Sequence, residues 1–145
     1  MALTKPKGII IHHSLTRDGR ICDWDGIKRY HIQEKGWEDV GYHFGVEAID
    51  GTIYILTGRP INMIGAHCVG KNDHIGICVV GNFDQAPPDE AHMTALLQLV
   101  LALLGQFPYL TADNLHRHSE YAPKSCPGRL FPWTKFVTVV RNGGA

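Results

Sequence analysis

The sequence predicts an α/β fold: a single domain with a mixed central β-sheet flanked by helices on both faces. Three observations carry this. Two continuous apolar runs rich in β-branched residues, Gly8-Ile-Ile-Ile-His12 and Ile75-Gly-Ile-Cys-Val-Val80, read as strands buried on both sides. Asp50-Gly51 separates two short apolar segments, the pattern of a tight hairpin. After Pro87, the residues Leu96, Leu97, Val100, Leu101 and Leu104 recur at helical spacing up to Gly105.

The elements follow in order. Residues 1–7 read as a short loose arm, 8–141 as the domain and 142–145 as a tail. In the first strand, alternation puts Ile10 and His12 on one face and Ile9, Ile11 and His13 on the other. Residues Thr16 to Gly19 carry turn chemistry. Asp23 is placed to cap a helix through about Lys35, with Gly36 at its C′ position. From Gly41 to Ile49, Tyr42, Phe44, Val46 and Ala48 alternate as in a strand, and Thr52 to Leu56 is its return. Pro87-Pro-Asp-Glu90 opens the long helix, with proline and acid at its start. A short strand follows. Residues 131–141 fit a final helix, but Val137, Val139 and Val140 fit a strand equally well.

Composition excludes several classes. The chain has 145 residues, 44% hydrophobic and 19% charged, which suits one domain with an adequate core and argues against disorder. Fourteen basic residues balance fourteen acidic ones. That balance disfavours binding to nucleic acid through bulk charge and gives no steering to anionic membranes. The longest apolar run, near residues 95–104, is half of the ~20 residues that a membrane span needs. No secretory h-region follows the polar N-terminus, so the expectation is a chain made in the cytoplasm. A neutral single domain is expected to be a monomer. Cys22, Cys68, Cys78 and Cys126 include no CxxC pair, which suggests thiols or metal ligands in a reducing compartment. Cys22 and Cys78 read as small buried hydrophobes.

Chemistry concentrates near the C-terminus, in His116-Arg-His118-Ser-Glu-Tyr-Ala-Pro-Lys124-Ser-Cys126-Pro. His118 and Cys126, on a loop bounded by Pro123 and Pro127, are suitable zinc donors. A catalytic zinc takes three protein ligands and keeps one open position. His12, at the end of a buried strand, fits as the third. His12 and His13 point to opposite faces, so only one of them should reach a metal. His116 is a rival to His118, because residues two apart in a strand face the same way.

Several stretches together resemble the type 2 N-acetylmuramoyl-L-alanine amidases, a family that includes short phage endolysins and peptidoglycan recognition proteins. They are Ile10-Ile-His-His-Ser14, Gly36-Trp-Glu-Asp-Val-Gly-Tyr-His-Phe44, Asp50-Gly-Thr52, Gly58-Arg59 and Gly65-Ala-His67. Asn72, Ile75-Gly-Ile77, Gly81-Asn-Phe83 and His118 through Pro127 complete the ordered set. The resemblance is strongest to the single-domain phage enzymes. It implies one Zn2+ held by His12, His118 and Cys126, with Tyr42 and Lys124 as catalytic residues. It places His67 in the substrate groove. Trp37 and Asn72 are expected to bind substrate there too, although Trp37, between a helix end and a strand, also suits a structural role. Cys68 reads as a thiol beside that groove. His31, His74 and His92 are expected at the surface.

The implied activity is hydrolysis of the amide between the lactyl group of N-acetylmuramic acid and L-alanine, by an endolysin released through a holin-type opening. Zinc lowers the pKa of bound water toward ~7 and polarises the carbonyl. Lys124 could place charge on the oxyanion, and Tyr42 could donate to it or manage the water proton. A hydroxyl or carbonyl of the chain should orient the other nitrogen of each imidazole ligand, and the sequence does not say which. Rival readings are a cytosolic muropeptide-recycling amidase, disfavoured because its third ligand is usually aspartate, and a peptidoglycan-binding module without catalysis. A cysteine hydrolase using Cys126 lacks an evident helix start to lower the thiol pKa. Some phage relatives bind and inhibit a phage RNA polymerase through an N-terminal arm, which is short here.

Overall fold

The structure, a computed structural model, describes residues 4–14 and 23–145. The expected turn from Thr16 to Gly19, and Cys22, lie outside them. Five strands, β1 (Ile9–His13), β2 (Phe44–Ile49), β3 (Thr52–Thr57), β4 (Ile75–Val79) and β5 (Leu115–Arg117), form one sheet in the order β3-β2-β4-β1-β5. β2 and β3 pair antiparallel and the other neighbours pair parallel, so the sheet is mixed, as predicted. Among the described residues three α-helices accompany it: α1 (Trp24–Arg29), α2 (Glu90–Gln106) and α3 (Trp133–Arg141).

Every residue of β1 and β4 is buried. Their register pairs Ile9 with Ile75, Ile10 with Gly76, Ile11 with Ile77 and His12 with Cys78. Alternation then divides the side chains between two layers. Ile9, Ile11, Ile75, Ile77 and Val79 pack with Leu96, Val100, Phe136 and Val140 of α2 and α3. Burying a side chain such as Leu96 contributes about 1.5–3 kcal/mol. The opposite face carries Cys78, with Trp24 and Ile27 of α1 and Val40. This second face also holds Ile10 and His12, and the site is built on it.

Local chemistry explains the boundaries. The Asp23 carboxylate accepts from the Gly26 N–H at 2.7 Å, capping α1 as expected. Beyond Arg29 the helix widens into a π turn, Tyr30–Glu34, and Gly36 ends it at φ 70°. β2 begins at Phe44 rather than Gly41, because the preceding backbone is paired elsewhere. Ala66 N–H donates to the Gly41 carbonyl (2.9 Å), Arg59 N–H to Tyr42 (3.0 Å) and His43 N–H to Gly76 (2.9 Å). Asp50 and Gly51 both have positive φ, 51° and 79°, as a tight hairpin requires. The ambiguous last segment is a helix: Phe136 and Val140, four residues apart, are its buried face.

Residues 4–7 of the expected loose arm are pinned to the body. Thr4 N–H donates to the Asn62 carbonyl at 2.8 Å and the Tyr109 hydroxyl to the Pro6 carbonyl at 2.6 Å. His74 and His92 depart from the expected surface positions. His74 is buried beside Gly8, where a Cβ would come within 2.7 Å of its ring, and His92 is half-buried with Nδ1 2.6 Å from Asp89. Among the described residues no helix is long and apolar enough to cross a membrane.

Candidate metal centre and groove

The buried run of β1 delivers His12 to the carboxyl end of a parallel strand, where α/β sheets place ligands. β5 stops at Arg117, and His118 opens a short 3-10 turn, His118–Glu120. Ser119 N–H donates to the Cys126 carbonyl at 2.9 Å, stitching this turn to the following loop. The donor atoms of His12, His118 and Cys126 all lie within 4.8 Å of one another, and all three residues are buried. His116 stands outside the cluster, with Nδ1 3.1 Å from the Glu120 carboxylate. The strand ends between the two histidines, so their expected common face does not extend to His118. His13 turns away from the cluster: its Nδ1 accepts from the Phe83 N–H at 3.2 Å.

The residues fit a zinc ion. His118 Nδ1 is buried without a hydrogen-bond partner among the described residues. Leaving such an atom unsatisfied costs about 1–3 kcal/mol. Burial, with the Lys124 charge adding to it, takes His118 down to about 4. Burial also holds His12 well below the ordinary imidazole value, aided by His67, His118 and Lys124. Both rings therefore keep the neutral form that binds metal. Burial pushes the Cys126 thiol up to about 12, partly opposed by the His13 N–H and Lys124. A divalent cation would hold that sulfur as thiolate. Two imidazoles and one sulfur make a three-ligand set that leaves room for water.

The cluster opens onto a cavity of about 870 Å³. Tyr42 stands edge-on to His12, ring centroids 5.1 Å apart, and Lys124 extends its exposed side chain at the rim. Trp37 lies against His31 at 4.6 Å on the wall. His67 borders the cavity with its Nδ1 2.9 Å from His12 Nε2 and its Nε2 2.8 Å from the His74 carbonyl oxygen. Burial takes this ring down to about 3. Asn72 spends its side-chain oxygen on the N–H groups of His67 (2.7 Å) and Cys68 (2.9 Å). Cys68 is a buried free thiol bordering the same cavity. A second cavity, of about 700 Å³ near Glu47 and Asn82, contains none of the three donors.

His31 belongs to the site, contrary to its expected surface position. Its Nδ1 accepts from the Gly41 N–H at 2.9 Å, and burial takes it down to about 4. The signal was available: Trp24, Ile27 and His31 follow one helical stripe, and the first two are buried. Tyr121 and the exposed Val69 also border the cavity and had no such signal.

Comparison with known proteins agrees with the motifs. Residues 2–129 match the N-acetylmuramoyl-L-alanine amidase family. The endolysin of Escherichia phage T7 is 35% identical over 125 residues, which cover 82% of this chain and 78% of that protein. The amidase LysC from Clostridium intestinale URNW shares the fold with a TM-score of 0.79 at 32% identity, over 93% of this chain and 85% of its own. A variant of Drosophila PGRP-LB in complex with tracheal cytotoxin aligns with a TM-score of 0.72 at 27% identity, over 95% of this chain and 83% of its own. The chain belongs to the N-acetylmuramoyl-L-alanine amidase family.

Proposed function

We propose that this chain is a zinc-dependent peptidoglycan amidase that hydrolyses the amide between the lactyl group of N-acetylmuramic acid and L-alanine. It serves as a phage-type endolysin, reaching the wall once a holin-type opening gives it access. One observation carries the reading: the buried His12–His118–Cys126 cluster borders a groove of about 870 Å³ that Tyr42 and Lys124 share. The endolysin relatives and the relative complexed with tracheal cytotoxin support the substrate class.

Bound zinc supplies the Lewis acid that activates water and polarises the scissile carbonyl. The chain does the rest. His12 and His118 stay neutral and so offer lone pairs at working pH. The charge of Lys124, which borders the same cavity, would stabilise an oxyanion formed there. Tyr42, which stands edge-on to His12 in the cavity wall, would use its hydroxyl for proton transfer. Trp37 and Asn72 bound the groove that receives glycan and stem peptide. Cys126 acts as a ligand rather than a nucleophile, because a buried thiol held at about 12 supplies almost no thiolate by itself.

The test is zinc content of the purified chain, paired with turbidity loss of sacculi before and after chelation. About one zinc per chain, with lysis lost on chelation and restored by zinc, is expected. Cys126→Ser should lose metal and lysis together. A chain that binds no zinc would overturn the reading, and zinc without lysis would move it to a binding role.

A further inference from the structure

We propose that His67 is a positioning residue of the metal centre, linking His12 to the His74 carbonyl so that His12 offers Nδ1 to the metal. This rests on the zinc reading above and replaces the substrate-groove role that the family resemblance implies for His67.

One end of this chain of hydrogen bonds is fixed by a main-chain oxygen. A carbonyl oxygen only accepts. His67 Nε2 lies 2.8 Å from the His74 oxygen, so that nitrogen carries the proton. The other nitrogen of a neutral ring is then an acceptor. It lies 2.9 Å from His12 Nε2, which must donate. The remaining lone pair of a neutral His12 is on Nδ1. Ligand imidazoles commonly give their second N–H to a carboxylate or carbonyl, which fixes the tautomer and the ring. Here a second imidazole is inserted between ligand and carbonyl.

The fold builds a slot for that second ring. A Cβ on Gly76 would come within 2.5 Å of His67 Cδ2 and 2.7 Å of its Nε2. A Cβ on Gly65 would come within 2.6 Å of the same Cδ2. Gly76 is in register with Ile10, two residues before His12 on the same face of the sheet. A glycine in the middle of a buried strand forgoes packing and backbone rigidity; here its missing side chain is the space that His67 occupies. The backbone of His67 is held from the other side by the Asn72 side-chain oxygen. The His74 carbonyl is anchored too, since the next residue, Ile75, donates its N–H to Gly8 at 2.9 Å. Both ring nitrogens of His67 are committed, which leaves its side chain no polar atom for a substrate.

The test uses the full chain loaded with zinc. Zinc affinity is measured by competition with a chelator, and histidine tautomers by long-range nitrogen–proton NMR. Wild type should bind zinc with His12 protonated at Nε2 and bound through Nδ1. His67→Phe, which fills the slot but cannot accept, should weaken zinc binding by about 10–100-fold. His67→Gln, which can both donate and accept, should recover part of that loss. His67→Phe binding zinc within twofold of wild type, or a wild-type His12 protonated at Nδ1, would overturn the relay while leaving the metal centre standing. Wild type that binds no zinc would overturn the metal reading, and the relay with it.

Discussion

The backbone N–H of His13 donates to the sulfur of Cys126 across 3.3 Å, joining the end of β1 to a loop 113 residues later in the chain. One of the proposed ligands, His12, is the neighbour of the donor, and another is the acceptor itself. Strand and loop are therefore held in register at the point where a metal would need them. The bond also favours thiolate against the burial that opposes it.

The loop needs its own anchor, and Asp84 provides it. Its carboxylate accepts from the Ser125 hydroxyl and from the Arg129 N–H, each at 2.7 Å, on either side of Cys126. Burial opposes the charge, yet these donors keep the carboxyl below its ordinary value. Asp84→Ala removes two hydrogen bonds to a charged acceptor and should cost about 1–3 kcal/mol. The melting temperature should fall by about 2–4 °C for each kcal/mol, with faster release of zinc to a chelator. Unchanged melting and release would show that Cys126 is held without Asp84.

Particular residues show what the sequence could and could not reveal. The run Ile9–Ile11 declared a doubly buried strand, and alternation alone put His12 and His13 on opposite faces. Asp23 and Asp50-Gly51 signalled their cap and turn because those are local backbone requirements. The choice of His118 over His116 was harder, since it depends on β5 ending between them. The final helix was ambiguous because β-branched residues suit both states and only packing on α2 decides. The link from His67 to His12 was not legible, since it joins residues 55 positions apart and ends on a main-chain oxygen.

Gly45 gives a stability test away from the metal. It pairs with Cys78 on the site face, and a Cβ there would lie 2.5 Å from the Trp24 ring. Neither the indole nor a sheet backbone yields easily. Gly45→Ala should destabilise the chain by about 1–3 kcal/mol, as overpacking does. Denaturant unfolding measures this as a lower midpoint at unchanged slope. A midpoint equal to wild type would mean that Trp24 can shift freely.

Acid should destabilise the fold through histidines outside the metal cluster. Burial takes His31 down to about 4 and lowers His43 and His74, although hydrogen bonds to Met63 and Asp73 partly oppose it in the latter two. Each has a folded value below its unfolded value, so the folded chain binds fewer protons. Stability is then complete above about pH 6.5 and is lost as the pH falls toward 4. His31 should account for roughly 1 kcal/mol between pH 7 and pH 5, after discounting its partial exposure. His31→Gln keeps an acceptor for the Gly41 N–H but cannot protonate in that range. Its melting temperature should fall less than that of wild type over the same pH interval, at matched zinc. Parallel profiles would remove His31 from the effect.

Tyr42 and Lys124 should separate chemistry from metal binding. Tyr42→Phe keeps the ring that stands edge-on to His12 at 5.1 Å and removes only the hydroxyl. Lys124→Met keeps the stem and removes the charge. Each should lower turnover of sacculi by about 10²–10³-fold, the range for losing a proton-transfer group or an oxyanion partner. Zinc content should stay at the wild-type level in both, because neither side chain belongs to the donor cluster. If the two act on one transition state, the double variant should lose less than the product of the single losses. Loss of zinc from Tyr42→Phe would instead assign Tyr42 to holding His12 in place, and full turnover by either variant would remove that residue from the mechanism.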